Sequence, residues 1–168
     1  IILAAVFVAM VISILLSIFI WNPLEVGCQK FFINCKYGNA ELGDIAYGFK
    51  NGYAHIGMIM FLRGLFTGLW MLLFIIPGIV KSYEYMMIPY LLAEHPEMTR
   101  QEAFAESKQM MDGNKWDAFV LDLSFIGWTL LGVCTFGILL VFYVEPYIYL
   151  TRAELYHALK NNNKPVEF

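Results

Sequence analysis

The stretch YAHIGMIMFLRGLFTGLWMLLFIIPGIVKSYEYMMIPYLL, residues 53–92, decides how this chain folds. It stays apolar for about 40 residues, twice the roughly 20 that one helical crossing of a bilayer requires. Ile76-Pro77-Gly78 interrupts it. Proline removes a helix donor and clashes with the preceding turn, while glycine permits reversal. Two readings follow: one kinked helix of roughly 60 Å, or a hairpin turning at Pro77-Gly78. The hairpin fits a bilayer better. Its second limb, from Gly78 to Ala93, is short and carries Lys81 and Glu84, which suits a tilted or protein-facing limb.

Composition supports a membrane setting. Apolar residues make up 60% of the 168 and charged residues 15%, against about half and a quarter in soluble domains. A domain of this size still exposes roughly a third of the surface its unfolded chain shows, so the excess would face water unless lipid covered it. The net charge of -3 and the lack of a basic stripe argue against nucleic acid as a partner. Membrane lipids and a membrane protein, or a second copy, are the expected partners.

Upstream, Ile1 to Ile20 is unbroken apolar sequence apart from Ser13 and Ser17, and Trp21 closes it. That length spans a bilayer, with the tryptophan at interfacial level. The run lacks the charged start and cleavage site of a signal peptide, and residues are expected upstream of Ile1. Residues 22–52 read as two amphipathic helices. In the first, Asn22 caps and Pro23 opens the helix, and Leu24, Cys28, Phe31 and Cys35 share a face opposite Glu25, Gln29 and Lys30. In the second, Leu42, Ile45, Ala46 and Phe49 share a face. Packing on the membrane surface and packing on protein are both open for them.

Downstream, Thr99-Arg100-Gln101-Glu102 is a capping box for an interfacial helix within residues 95–114. Ala103, Phe104, Ser107, Met110 and Met111 line one face of it, and Gly113 ends it. Residues 115–160 form a second hairpin, turning at Thr135-Phe136-Gly137 and interrupted at Glu145-Pro146. A polar tail covers residues 161–168. The halves repeat one another. Gly68-Leu69-Trp70-Met71-Leu72-Leu73 matches Ile126-Gly127-Trp128-Thr129-Leu130-Leu131, Gly78-Ile79 matches Gly137-Ile138, and Pro89-Tyr90 matches Pro146-Tyr147. The expected architecture is all-α and polytopic: one transmembrane helix over residues 1–21, then hairpins over 53–94 and 115–160, about five membrane helices in all. Lysine and arginine gather in residues 21–52 and 94–115 and in the tail, whereas the hairpin turns carry no charge. That asymmetry places Lys108 on the cytoplasmic side and Gly78 and Gly137 outside.

Five charges fall within apolar stretches: Arg63, Lys81, Glu84, Asp122 and Glu145. Buried in a membrane, such groups pair or face water. Lys81 and Glu84 are one helical turn apart and suited to local pairing. Arg63 and Asp122 lie at similar distances before Trp70 and Trp128, with opposite sign, and are expected to pair between the hairpins. The bland reading of these charges is a structural lock; the sharper one is a polar pathway or ligand site.

The blocks Pro23-Leu24-Glu25-Val26-Gly27, Leu69 to Tyr83, Ser107-Lys108, Leu123-Ser124-Phe125-Ile126-Gly127-Trp128 and Pro146-Tyr147 resemble the signature blocks of a bacterial integral-membrane family. It is catalogued as domain of unknown function 975 and is widespread in Gram-positive bacteria. The resemblance covers nearly the whole chain. It implies a multi-pass protein of the bacterial cytoplasmic membrane with a further N-terminal helix, and it supplies no catalytic residues. Where family members more often carry a second glycine after Gly137, this chain has Leu139.

No catalytic constellation stands out. Glu154 and His157 have the i, i+3 spacing of di-iron bundles, but only Glu94-His95 could supply a second pair, so no metal and no cofactor is expected. Cys28 and Cys35 lie on the expected cytoplasmic side, which argues against a disulfide. The chain reads as no enzyme. Three functions remain: a non-catalytic scaffold or accessory subunit, a small transporter or channel-like protein, and a lipid-binding module suggested by tyrosines such as Tyr83, Tyr85 and Tyr143. Isolated charges without a continuous polar stripe favour the first.

Overall fold

The computed structural model describes residues 2–135 and 137–162. All regular structure among them is helical. From residue 163 the expected tail, like Phe136 of the expected turn, lies outside the described residues. Among the described residues, three helices are long and apolar enough to cross a membrane: Val6–Lys36, Tyr53–Leu73 and Lys115–Val133.

The first joins α1 (Ile2–Leu16) to α2 (Asn22–Lys36) through a π-helical turn at Ser17–Trp21. The helix start expected at Asn22 is therefore absent; the chain runs helically through Pro23. A proline in a helix removes one hydrogen bond and crowds the carbonyl four residues back. The π turn widens the helix just before it, and the Phe19 carbonyl, the one Pro23 cannot serve, accepts the Tyr53 hydroxyl at 2.7 Å. Pro146 repeats the device. It sits behind a π turn at Leu140–Val144 and inside α10 (Glu145–Asn162), so the interruption expected there is absorbed without ending the helix.

α2 packs on protein. Its buried residues are Asn22, Pro23, Val26, Gly27, Gln29 and Ile33, a different face from the one expected, and Gln29 lies inside rather than outside. Phe32 stacks on Tyr149 at 5.2 Å and Lys36 reaches Glu154 at 2.6 Å. The following segment, a 3-10 turn at Leu42–Ala46 and α3 (Tyr47–Lys50), docks on α2 through backbone rather than through its apolar side chains. Leu42 and Phe49 are exposed. A Cβ on Gly27 would lie 1.9 Å from the Ile45 carbonyl oxygen, and one on Gly48 2.2 Å from that of Pro23. Gly27→Ala is thus expected to lower stability by about 1–3 kcal/mol, the usual range for overpacking. Thermal unfolding in detergent checks this, and an unchanged midpoint would show that the segment does not dock there.

The stretch over residues 53–92 is a hairpin. α4 (Tyr53–Leu73) ends at Phe74, which is extended at φ -152 and ψ 126, and α5 (Ile75–Glu84) returns along it. The reversal falls before Pro77-Gly78, not on them. Proline is best tolerated in a helix's first turn, where its missing N–H has no partner to lose, and with no π turn before Pro77 the break lies within one turn upstream. Gly78 serves closeness instead: a Cβ there would meet Met71 Cα at 2.6 Å.

After α5 the chain turns into α6 (Ile88–Glu94), which sits at the centre of the protein core. Ile88, Pro89, Tyr90, Leu91, Leu92 and Ala93 are all buried. Around it pack Val26 and Ile33 of α2, Ile56, Ile59 and Met60 of α4, and Ala153, Tyr156 and Leu159 of α10. Ala103 and Met110 of α7 (Arg100–Met110) close another side. Tyr90 stacks on Tyr156 at 5.5 Å. The Tyr156 hydroxyl and Lys160 both donate to Glu94. Burial works against the Glu94 charge, but those two bonds outweigh it and hold the carboxyl below its ordinary range. The second limb read from the sequence is thus divided between a ten-residue arm, α5, and a core helix, α6. Thr99 caps α7 as expected, its Oγ1 accepting from the Glu102 N–H at 3.3 Å while Glu102 accepts from the Thr99 N–H at 2.9 Å.

α8 (Lys115–Ser124) and α9 (Ile126–Cys134) follow, bent at Phe125. The chain then turns at Gly137, whose φ of 82 suits glycine. A Cβ on Gly132 would come 2.4 Å from Leu140 Cγ across this second hairpin. The sequence match equates Gly78 with Gly137, yet one is a helix contact and the other a left-handed turn.

Candidate functional site: ion-paired clefts at the base of the hairpins

Arg63 leaves α4 opposite α2. Its Nη1 lies 3.0 Å from Glu25 Oε1, and its Nε donates to the Tyr85 carbonyl at 3.0 Å. A cleft of about 390 Å³ opens beside the pair, with Asn22, Thr67 and Ser82 among its polar walls. Gly64 and Gly68 form part of it, and a Cβ on either would meet nothing within 4 Å. These glycines leave space rather than fill a contact.

The second hairpin has its own pair. Arg152 on α10 lies 3.0 Å from Asp122 Oδ1 on α8, and the Tyr83 hydroxyl donates to Asp122 Oδ2 at 3.0 Å. A cleft of about 300 Å³ adjoins it, walled by Phe125, Ile126, Thr129, Leu130 and Ile148. Between the hairpins stands a third cluster. Glu84, whose side chain is only 5% exposed, is held by Lys81 at 2.9 Å and Lys115 at 3.4 Å. Ser107 donates to its backbone carbonyl at 2.7 Å. An apolar groove of about 400 Å³ between α5 and α8 runs past Lys115, lined by Ile76, Ile79, Val80, Trp116 and Phe119.

The expected pair between Arg63 and Asp122 does not form. Arg63 is neutralised by α2, outside its hairpin, and Asp122 by α10, the returning limb of its own. Neither Glu84 nor Glu145 replaces Asp122 as the partner of Arg63. Lys81 and Glu84 do meet, and Glu145 is exposed at the start of α10. The sequence reading puts Glu25 on the face of α2 opposite its apolar residues, which hides it as a partner for Arg63. Arg152 had a usable signal: it lies as many residues after Gly137 as Asp122 lies before it, so a hairpin turning there brings them level. Tyr83 and Lys115 carried no such signal.

The arrangement pairs charge with charge, which lets polar groups sit among apolar helices at tolerable cost. Glu154 pairs with Lys36, and His157 packs against the rings of Tyr37 and Tyr156. Among the described residues no three His, Cys, Asp or Glu side chains group as metal ligands would. A family model described as "Protein of unknown function (DUF975)" matches residues 2–163. No curated protein and no solved structure matches the chain.

Proposed function

We propose, from the premise that this chain belongs to the family described as a protein of unknown function (DUF975), that it is a non-catalytic integral membrane protein acting as a scaffold or accessory subunit. Its place is the bacterial cytoplasmic membrane, with its charged core on the cytoplasmic side. The observation that carries this reading is the way charge is used. Arg63, Lys81, Glu84 and Asp122 are all spent on partners within the chain, while the hairpin arms present bare apolar surface. A protein that moves solutes needs polar groups left over along a path; these form separate clusters, each closed on itself. The two hairpins are read as copies of one unit, contributing four of five membrane helices beside α1. Two parallels support that: a glycine at the contact between arms, Gly78 or Gly132, and an ion pair at the base.

Transport is the second reading, favoured by the polar cleft beside Glu25 and Arg63, whose volume is at the lower end for small-ligand sites. Native mass spectrometry of the chain extracted in lipid nanodiscs separates the two. The scaffold reading expects a defined oligomer or a stoichiometric complex, kept when Glu25 and Arg63 are both replaced by leucine. A monomer that drives solute flux in proteoliposomes, lost on Glu25→Gln, would overturn it.

A further inference from the structure

We propose that both hairpins are re-entrant: each dips into the acyl chains of one leaflet and turns back without crossing the bilayer. This rests on the membrane setting proposed above, not on the scaffold role.

The waterline is set by α7. The chain meets α4 twice as it enters that helix: His55 Nε2 is 2.7 Å from the carbonyl oxygen of Met98, just before α7, and the Phe66 ring meets that of Phe104, on α7, at 5.7 Å. The outward residues of α7, among them Arg100, Glu102, Glu106 and Lys108, are charged and exposed. Hydrocarbon does not accept such a face, so α4 up to Phe66 stands in the aqueous or headgroup zone. The first half of α4 is long enough to count toward a crossing but is occupied in the core through Ile56, Ile59 and Met60.

What remains beyond Phe66 is short. Thr67 to Leu73 rises about 10 Å at 1.5 Å per residue. On the returning arm Lys81 sits about 10 Å from Phe74. The second hairpin agrees from independent markers. The exposed Glu145 lies about 12 Å beyond Gly137, and Asp122 about 20 Å before it. A hydrocarbon core is about 30 Å thick. Arms of this length, with charged groups at their bases, bring the turns to roughly the bilayer midplane.

The turns have the chemistry of that place. Leu72 is 86% exposed and Ile76 76%, with Leu73, Phe74 and Ile75 bare between them. Val133 and Ile138 flank the second turn and are likewise exposed. A loop that emerged into water on the far side would put these side chains there with no charge beside them. The reversal at Phe74 also suits the interior of lipid, because it uses one extended residue and its N–H still donates to the Trp70 carbonyl at 2.9 Å. Backbone at membrane depth must satisfy its own hydrogen bonds. The occupant is therefore acyl chain of one leaflet, and the far-side position expected for Gly78 and Gly137 gives way to a buried one.

Single cysteines in a cysteine-free full-length background test this: Leu72→Cys, Ile75→Cys and Ile138→Cys at the turns, Lys108→Cys on α7 and Ile12→Cys in α1. In sealed proteoliposomes an impermeant maleimide should reach position 108 from one side. It should reach 72, 75 and 138 from neither side until denaturing detergent dissolves the bilayer. A bimane at 75 should be quenched most strongly by lipids carrying a nitroxide deep in the acyl chain. Labelling of 72 or 75 from the side opposite 108 would mean crossing hairpins and overturn the proposal. Labelling from the side of 108 would mean turns in water and overturn it too, as would a bimane untouched by any lipid quencher, which would place the turn inside protein. Position 12 separates failures: if it is labelled as well, the membrane setting itself is wrong.

Discussion

Asp122→Leu is expected to destabilise the folded protein by about 3 kcal/mol, and adding Arg152→Leu to recover most of that loss. Removing one member of a poorly solvated ion pair strands the other, which typically costs about 3–5 kcal/mol, whereas replacing both with apolar groups can be nearly neutral. The lower end of the range applies because both side chains keep partial access, 24% for Asp122 and 34% for Arg152. Recovery should fall short by about 1 kcal/mol, the worth of an ordinary hydrogen bond, since Tyr83 also donates to Asp122. Thermal or denaturant unfolding in a fixed detergent measures both variants. A control distinguishes this pairing from the one the sequence suggested. Combining Asp122→Leu with Arg63→Leu should simply add the two losses, because residues without a shared partner do not couple. Rescue in that second combination, and none with Arg152, would show that the pairs are exchanged.

The second large effect lies in the core. Tyr90→Ala should cost about 3–5 kcal/mol, as truncating a large buried aromatic does, because Tyr90 is 2% exposed and stacks on Tyr156. Tyr90→Phe should be close to neutral. The Tyr90 hydroxyl is buried with no hydrogen-bond partner among the described residues, so the tyrosine gives up solvation without recompense, and removing the hydroxyl restores an apolar fit. The ratio between the two variants is the informative quantity. If Tyr90→Phe proves as damaging as Tyr90→Ala, the hydroxyl has a bound water or ligand that holds the core together.

These residues also mark how far sequence reasoning reaches. The hairpin over residues 53–92 was legible because length and the Pro77-Gly78 interruption leave few ways to pack so much apolar chain. Its turning point was displaced to Phe74, because proline fixes only the turn that follows a break and not the break itself. The apolar face of α7 and its Thr99 cap were legible from short-range spacing, and Ala103, Ser107 and Met110 are buried. α2 was not. Its pattern suits a membrane surface and a protein core equally, and only the neighbouring α6 and α10 decide which face turns inward. The charged residues divide in the same way. Lys81 and Glu84 lie a turn apart on one helix, where geometry is local. Arg63 and Asp122 take partners far along the chain.

By itself the sequence determined that the chain is helical and apolar beyond what water accommodates, where its charges interrupt that surface, and which family it resembles. Period, proline chemistry and hydrophobic length act over a turn or a span, so they are written in consecutive residues. Only the tertiary structure decided that α6 is a core helix, that Glu25 and Arg152 neutralise the buried charges, and how little of the first hairpin stands clear of the polar α7. Those facts depend on which faces meet across long stretches of chain, where many pairings of one apolar pattern are close in energy. Close fit chooses among them: the bare backbone at Gly27 and Gly48, the contact at Gly78 and the ion pairs at the hairpin bases.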